Sequence, residues 1–246
     1  MRRSIRTLAV STSAAVLCLV LGFWTGRHLA RINVPSAGTH MAVRVAMVGL
    51  LLPQIAMQPG KFDVILGDSI TEGAFLQTAD SRPLLNAAIG GGGIDSMFPM
   101  LNQLETYRGR IDRALLAIGV NDAQRSAISG YPNGRSAYLD RWEQHYQAAA
   151  QILADLGAKV TLFPILPVED SKPLGAAYFD PEAIHKMNEA IRDIGSRHGW
   201  PVADVAVPTA ANSKNGIIGI GSTVDGVHPT SATYRKFVDA VRSALE

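Results

Sequence analysis

Residues 61–246 alternate short apolar runs with helical patterns, and that alternation constrains the fold more than any other feature of the chain. The run 62–66 ends at Gly67, 84–89 leads into Gly90, 114–118 ends at Gly119, 160–165 follows, and 202–205 is a weaker fifth. Short runs that stay apolar read as strands buried on both faces, as in a parallel sheet. Between them, 136–156 sets Tyr138, Trp142, Tyr146, Ala149, Ile152, Leu153 and Leu156 at helical spacing before Gly157. Pro181–His198 opens on a capping Asp180, stops at Gly199 and carries Ile184, Met187, Ile191 and Ile194 on one stripe. The last helical pattern, 230–245, turns Tyr234, Phe237, Val238 and Val241 inward. The pattern predicts a three-layer α/β/α fold around a mainly parallel five-stranded sheet with right-handed crossovers. In such folds ligands collect at the carboxyl ends of the strands.

The first 60 residues differ in kind. They hold six arginines (Arg2, Arg3, Arg6, Arg27, Arg31, Arg44) and no acidic residue. Residues 7–26 carry no charge. As a helix they would span about 30 Å, the thickness of a bilayer's hydrocarbon. Trp24 sits near the end of the run, where an aromatic ring suits the interface. Residues 1–32 are therefore expected to form a signal-anchor or transmembrane segment, with a cleaved secretion signal as the alternative. Residues 33–60 are expected to be a linker (33–40) and an apolar segment (45–57) broken by Pro53. That segment either packs as a helix leading into the first strand or lies at a membrane surface. The single cysteine, Cys18, rules out an internal disulfide and a cysteine-based zinc site. Residues 61–246 hold 17 basic against 21 acidic residues, a net of −4 without a basic stripe, which argues against a nucleic-acid partner.

Four places at the ends of the runs carry chemistry. In Gly67-Asp68-Ser69 a buried strand stops at a glycine, and a serine follows where a rigid scaffold can present its hydroxyl. Alone, the triplet also reads as a helix cap. In 86–93 the glycines Gly90, Gly91, Gly92 and Gly93 let the backbone approach a ligand and offer it an N–H, or simply form a loose turn. Asn121, in Gly119-Val120-Asn121-Asp122, can donate a side-chain N–H to an oxyanion, or cap a turn. In Asp225-Gly226-Val227-His228-Pro229 an imidazole, a base near working pH, has a carboxylate three residues away to fix its tautomer. An incidental histidine beside a cap is the bland alternative.

The order of these blocks resembles that of the SGNH, or GDSL-type, serine hydrolases. Gly67-Asp68-Ser69 is similar to the family's first block, Asn86 with Gly91 to its second, Gly119-Val120-Asn121-Asp122 to its G-x-N-D, and Asp225-Gly226-Val227-His228 to its D-x-x-H. The resemblance covers residues 61–246. It implies Ser69 as nucleophile, His228 as base and Asp225 as its orienting partner. It implies an oxyanion hole of the Ser69 N–H, the Gly91 N–H and the Asn121 side chain. The second block departs from the family in continuing as Gly92-Gly93, which leaves Gly90 and Gly92 open as donors. The implied activity is hydrolysis of carboxylic esters through an acyl-serine, without cofactor or metal. Small acyl, chiefly acetyl, esters of envelope carbohydrate or lipid are the expected substrates. An O-acyltransferase using the same residues, or a silent carbohydrate-binding module, are the alternatives. By analogy with exported hydrolases, the catalytic domain is expected outside the membrane that holds the N-terminus, on the periplasmic side in a bacterium, or secreted after signal cleavage. The six histidines show no paired ligand spacing for a metal.

Overall fold

The computed structural model describes residues 37–76, 82–205 and 217–246. The expected membrane segment at 7–26 lies outside them. Contacts divide the chain into Met1–Thr39 and His40–Glu246, and the fold described is that of the second unit. Its helix α1 (Ala37–Ala56) leads to β1 (Phe62–Gly67), the four-residue α2 (Ser69–Glu72) and β2 (Leu84–Asn86). Then come α3 (Phe98–Leu104), β3 (Ile111–Ala117), α4 (Arg125–Ser129), α5 (Gly134–Asp155), β4 (Lys159–Leu162), α6 (Pro181–His198) and α7 (Ser231–Ala244).

The strands lie in the order β2-β1-β3-β4, all parallel. The chain steps from β1 to β2 on one side, then returns past β1 to β3. With right-handed crossovers that reversal lays helices on both faces and opens a crevice between the carboxyl ends of β1 and β3. All six residues of β1 are buried, as a central strand requires.

The expected fifth strand shrinks to one bridge, Leu162 to Val202, held by Leu162 N–H to Pro201 O (2.9 Å) and Ala203 N–H to Leu162 O (2.8 Å). Pro201 has no N–H to extend the ladder. At β4, Phe163 N–H still reaches Leu116 O at 2.9 Å, but Pro164 interrupts. The side chain of Asn188 on α6 then satisfies the N–H and the C=O of Ile165, at 2.7 and 2.9 Å. β3 starts at Ile111, earlier than its apolar run, because Arg113 has a buried partner. Its guanidinium reaches Asp63 at 2.7 and 3.1 Å, and its own N–H reaches the same carboxylate at 3.2 Å.

The helices α5, α6 and α7 fall where their patterns place them. In α6, Asp180 accepts from the N–H groups of Glu182 and Ala183, and Gly199 ends the helix in the left-handed region. α1 begins at Ala37, inside the stretch read as linker. Its C-terminal carbonyl at Ala56 is capped by Arg110, which also holds Gln58 O and Gly60 O.

Candidate active site

β1 delivers Ser69. The carboxylate of Asp68 caps α2 by accepting the Ile70 N–H at 3.0 Å, so Ser69 becomes the first residue of that short helix. From the other end of the chain, Tyr234 on α7 donates its hydroxyl to Ile70 O at 2.9 Å and clamps α2 in place. Burial pushes the Asp68 carboxyl up to about 6, partly offset by the Ile70 N–H.

Two further residues meet Ser69. His228 Nε2 lies 2.9 Å from Ser69 Oγ, and His228 Nδ1 lies 2.7 Å from Asp225 Oδ2. The other oxygen of Asp225 accepts the backbone N–H groups of Val227 and His228, at 3.1 and 2.9 Å. Burial works against the Asp225 charge, but the hydrogen bonds from His228 and from these N–H groups outweigh it and hold the carboxyl below its ordinary range. An acidic partner on one imidazole nitrogen leaves the other free to accept the serine proton.

A residue that the sequence reading passed over supports this turn. Glu169, fully buried, accepts from Gly221 N–H (3.0 Å), Thr223 N–H (2.9 Å), Thr223 Oγ1 (2.8 Å) and Ser171 Oγ (2.9 Å). Burial opposes its charge, yet these bonds hold its pKa down to about 2. Thr223 Oγ1 in turn accepts the Gly226 N–H at 3.0 Å. Gly226 has φ +119°, and a Cβ there would meet Gly175 N at 2.4 Å, so the 225–228 turn is pressed against the chain at 174–175. The carbonyls of Asp225 and Gly226 accept from Leu174 and Glu169 N–H groups across that contact.

The glycine loop is not slack. Cβ atoms at Gly90, Gly92 and Gly93 would meet Glu72 Oε2, Ser96 Oγ and Asp122 Oδ1 at 2.5, 2.4 and 2.5 Å. Gly91 is different, with φ +73° and open space where its side chain would stand. The Gly90 N–H donates to Glu72 Oε2 at 2.7 Å and that of Gly92 to Ile89 O at 2.9 Å; the Gly91 N–H bonds no described residue. Two contacts fix this loop to the block after β3. Asn121 Nδ2 donates to Gly92 O at 3.0 Å, and the Asp122 carboxylate accepts the Ile94 N–H at 3.0 Å. Burial raises the Asp122 pKa to about 7, offset in part by that N–H. Asn86, which begins the second block, ties it to α2 by donating Nδ2 to Thr71 O at 2.9 Å.

The structure thus joins Ser69, His228 and Asp225 by hydrogen bonds. It brings Gly91 and Asn121 into one loop assembly attached to the helix of Ser69. The segment 166–180 is an irregular connection packed against the loop after β3. Phe179 is buried and its backbone bridges Gln124, leaving Tyr178 as the exposed ring. Glu72 lies three residues beyond the first block, and Glu169 lies in a connection with no periodic signal. Among the described residues no three His, Cys, Asp or Glu side chains gather as metal ligands would.

A parallel sheet with flanking helices, bearing a Ser–His–Asp hydrogen-bond chain at its switch point, defines a serine hydrolase on an α/β scaffold. The model of the GDSL-like lipase/acylhydrolase family matches residues 65–236, and the chain belongs to that family of ester-hydrolysing enzymes. A search of curated proteins returned no significant match. Among solved structures, the acetyl xylan esterase AlAXEase is similar with 26% identity and TM-score 0.59, covering 75% of this chain and 100% of that one. A GDSL-like lipase from Bacteroides thetaiotaomicron VPI-5482 shares the fold with 20% identity and TM-score 0.59, over 82% of this chain and 98% of that one. An acetylxylan esterase from Geobacillus stearothermophilus does so with 15% identity and TM-score 0.53, over 76% and 94%.

Proposed function

We propose that the chain is a serine esterase that removes small acyl groups, acetyl above all, from carbohydrate or lipid of a cell envelope. The observation that carries the reading is the hydrogen-bond chain Ser69 Oγ to His228 Nε2 (2.9 Å) and His228 Nδ1 to Asp225 (2.7 Å). Neutral His228 takes the hydroxyl proton as Ser69 Oγ bonds to the ester carbonyl carbon. Negative charge then develops on the carbonyl oxygen, where the N–H groups of Ser69 and Gly91 and the Asn121 side chain serve as donors. As the tetrahedral centre collapses, His228 gives the proton to the departing alcohol. Water then bonds to the acyl carbon as it gives one proton to His228, and when the bond from that carbon to Ser69 Oγ breaks, His228 returns the proton to Oγ and the acid leaves.

Two points favour small acyl groups. The connections that carry the site, from Gly67 to Ser69, from Asn86 to Gly93 and from Ala117 to Asn121, are short and leave little material for a lid. The acetyl xylan esterase at 26% identity aligns over its full length. Residues 7–26 are read as the anchor that holds the enzyme to a membrane, with its catalytic unit outside.

The test is a series of aryl esters from acetyl to palmitoyl on the full chain, alongside labelling by a fluorophosphonate. A preference for acetyl and labelling abolished in Ser69→Ala support the reading. A preference for long chains overturns the substrate class, and labelling that survives Ser69→Ala overturns the nucleophile. Product analysis with an added sugar acceptor separates hydrolysis from acyl transfer.

A further inference from the structure

α1 has two faces. On one, Val48 and Leu52 are buried, with Met41, Val45 and Ile55 packed on the same core. The polar groups of α1 on this side are committed to the domain. His40 Nε2 lies 3.2 Å and Arg44 Nε 2.9 Å from the carboxylate of Glu72, and Gln103 donates to Val45 O at 3.0 Å. The other face is Val43, Met47, Leu50 and Leu51, exposed by 51, 43, 69 and 39%. Their spacing sets them along one side of the helix. α1 contains no acidic residue to repel a lipid phosphate, and Met57, 83% exposed, extends the apolar surface just past its end.

The chain upstream says what such a face meets. Residues 7–26 are uncharged and read as a membrane anchor, and ten residues separate Gly26 from Ala37. An extended chain advances ~3.3–3.6 Å per residue, so the start of α1 stays within about 40 Å of the end of that run. A tether this short keeps lipid at high effective concentration beside the helix, whatever the concentration of protein.

We propose that α1 is an interfacial helix whose Val43, Met47, Leu50 and Leu51 stripe docks on the bilayer surface, holding the catalytic unit against the membrane. The proposal rests on the reading of residues 7–26 as an anchor. The window Thr39–Ala56 is long and apolar enough to cross a membrane, with a mean hydropathy of 1.3. Crossing would, however, pull Arg44 from Glu72 and strip Val48 and Leu52 from the core, leaving a guanidinium in hydrocarbon. Lying in the interface keeps every one of those contacts and buries only the stripe.

The test uses the full chain in phosphatidylcholine vesicles, with Cys18→Ser removing the native thiol. Single labelling sites are introduced by Leu50→Cys or Met47→Cys on the stripe, and by Glu189→Cys on α6 as the control. Each carries a polarity-sensitive fluorophore, and the vesicles carry a lipid nitroxide at a shallow or a deep acyl position. The expected result is a blue-shifted stripe probe quenched more by the shallow nitroxide than by the deep one, with the α6 probe unaffected. Stripe probes that stay unquenched while the chain floats with the vesicles overturn the docking and leave the anchor standing. Energy transfer between stripe probes would then identify a second copy as the occupant. Stronger quenching by the deep nitroxide overturns it in favour of a crossing helix. A chain that does not float removes the anchor and the proposal together. Esterase activity, read on the same vesicles, is independent of all four outcomes.

Discussion

Glu72 accepts the N–H of Gly90 at 2.7 Å, so the short helix that presents Ser69 also grips the loop that contains Gly91. The second oxygen of Glu72 is held by Arg44 at 2.9 Å, which fixes the carboxylate from the α1 side. Glu72→Ala should therefore lower kcat by about tenfold to a hundredfold, with little change in KM, because the loop donor matters only as charge develops. Steady-state kinetics on an acetyl ester checks it, and Glu72→Gln, which keeps an acceptor, should recover much of the loss.

Asn121 should behave as a donor to developing charge and not as a fold determinant. Asn121→Ala is expected to cost roughly 10²–10³ in kcat, the range measured for single donors elsewhere. Thermal unfolding should move far less, since the bonds lost are two, one to Gly92 O at 3.0 Å and a long one from Gln124 Nε2 at 3.4 Å. A collapse of stability in parallel with activity would contradict this assignment.

Asp122 makes stability depend on pH near neutrality. Its carboxyl, raised to about 7 by burial, binds a proton in the folded state that the unfolded chain has already released above its ordinary 3.8. The folded state is thus favoured at low pH, and that advantage is lost as pH rises through about 7. Wild-type Tm should fall between pH 5 and 8 more steeply than that of Asp122→Asn, in which the side-chain carbonyl still accepts the Ile94 N–H. Parallel Tm curves would sink the idea.

Glu169 has the opposite sign. Its pKa of about 2, against 4.5 ordinarily, means stability fully present above 4.5 and lost as pH falls toward 2. Glu169→Gln should lower Tm at pH 7 and leave the difference smaller at pH 3. It should also weaken catalysis, because Thr223 and the Gly226 N–H position the turn that carries Asp225 and His228.

His228 can accept from Ser69 only while Asp225 holds its ring and tautomer through the 2.7 Å bond to Nδ1. Replacing Asp225 by asparagine should lower kcat by orders of magnitude, as loss of the orienting carboxylate does in comparable triads. Steady-state kinetics on an acetyl ester checks it, and an unchanged kcat in Asp225→Asn would argue against the orienting role of that carboxylate.

Strand ends and the helices α5, α6 and α7 were readable because each is a local signal: an apolar run, a cap, a stop. The four blocks were readable for the same reason, each lying at such an end. The partnerships that hold them were not. Asp63 and Arg113 look like polar interruptions until the pairing of β1 with β3 brings them together fifty residues apart. Glu169 has no pattern of its own and acquires meaning from Gly221 and Thr223, over fifty positions away. The four glycines read as slack because a sequence does not reveal that Glu72, Ser96 and Asp122 occupy the space that side chains at Gly90, Gly92 and Gly93 would need. The fifth strand failed for a local reason, Pro201, whose missing N–H its apolar neighbours outweighed in the reading.

The bond between Ser69 and His228 spans 159 residues. A polypeptide that stops short of His228 leaves the Ser69 hydroxyl without this partner, however well its strands have formed. A stop codon anywhere upstream of His228 is thus expected to yield a silent fragment, never a stray hydrolase.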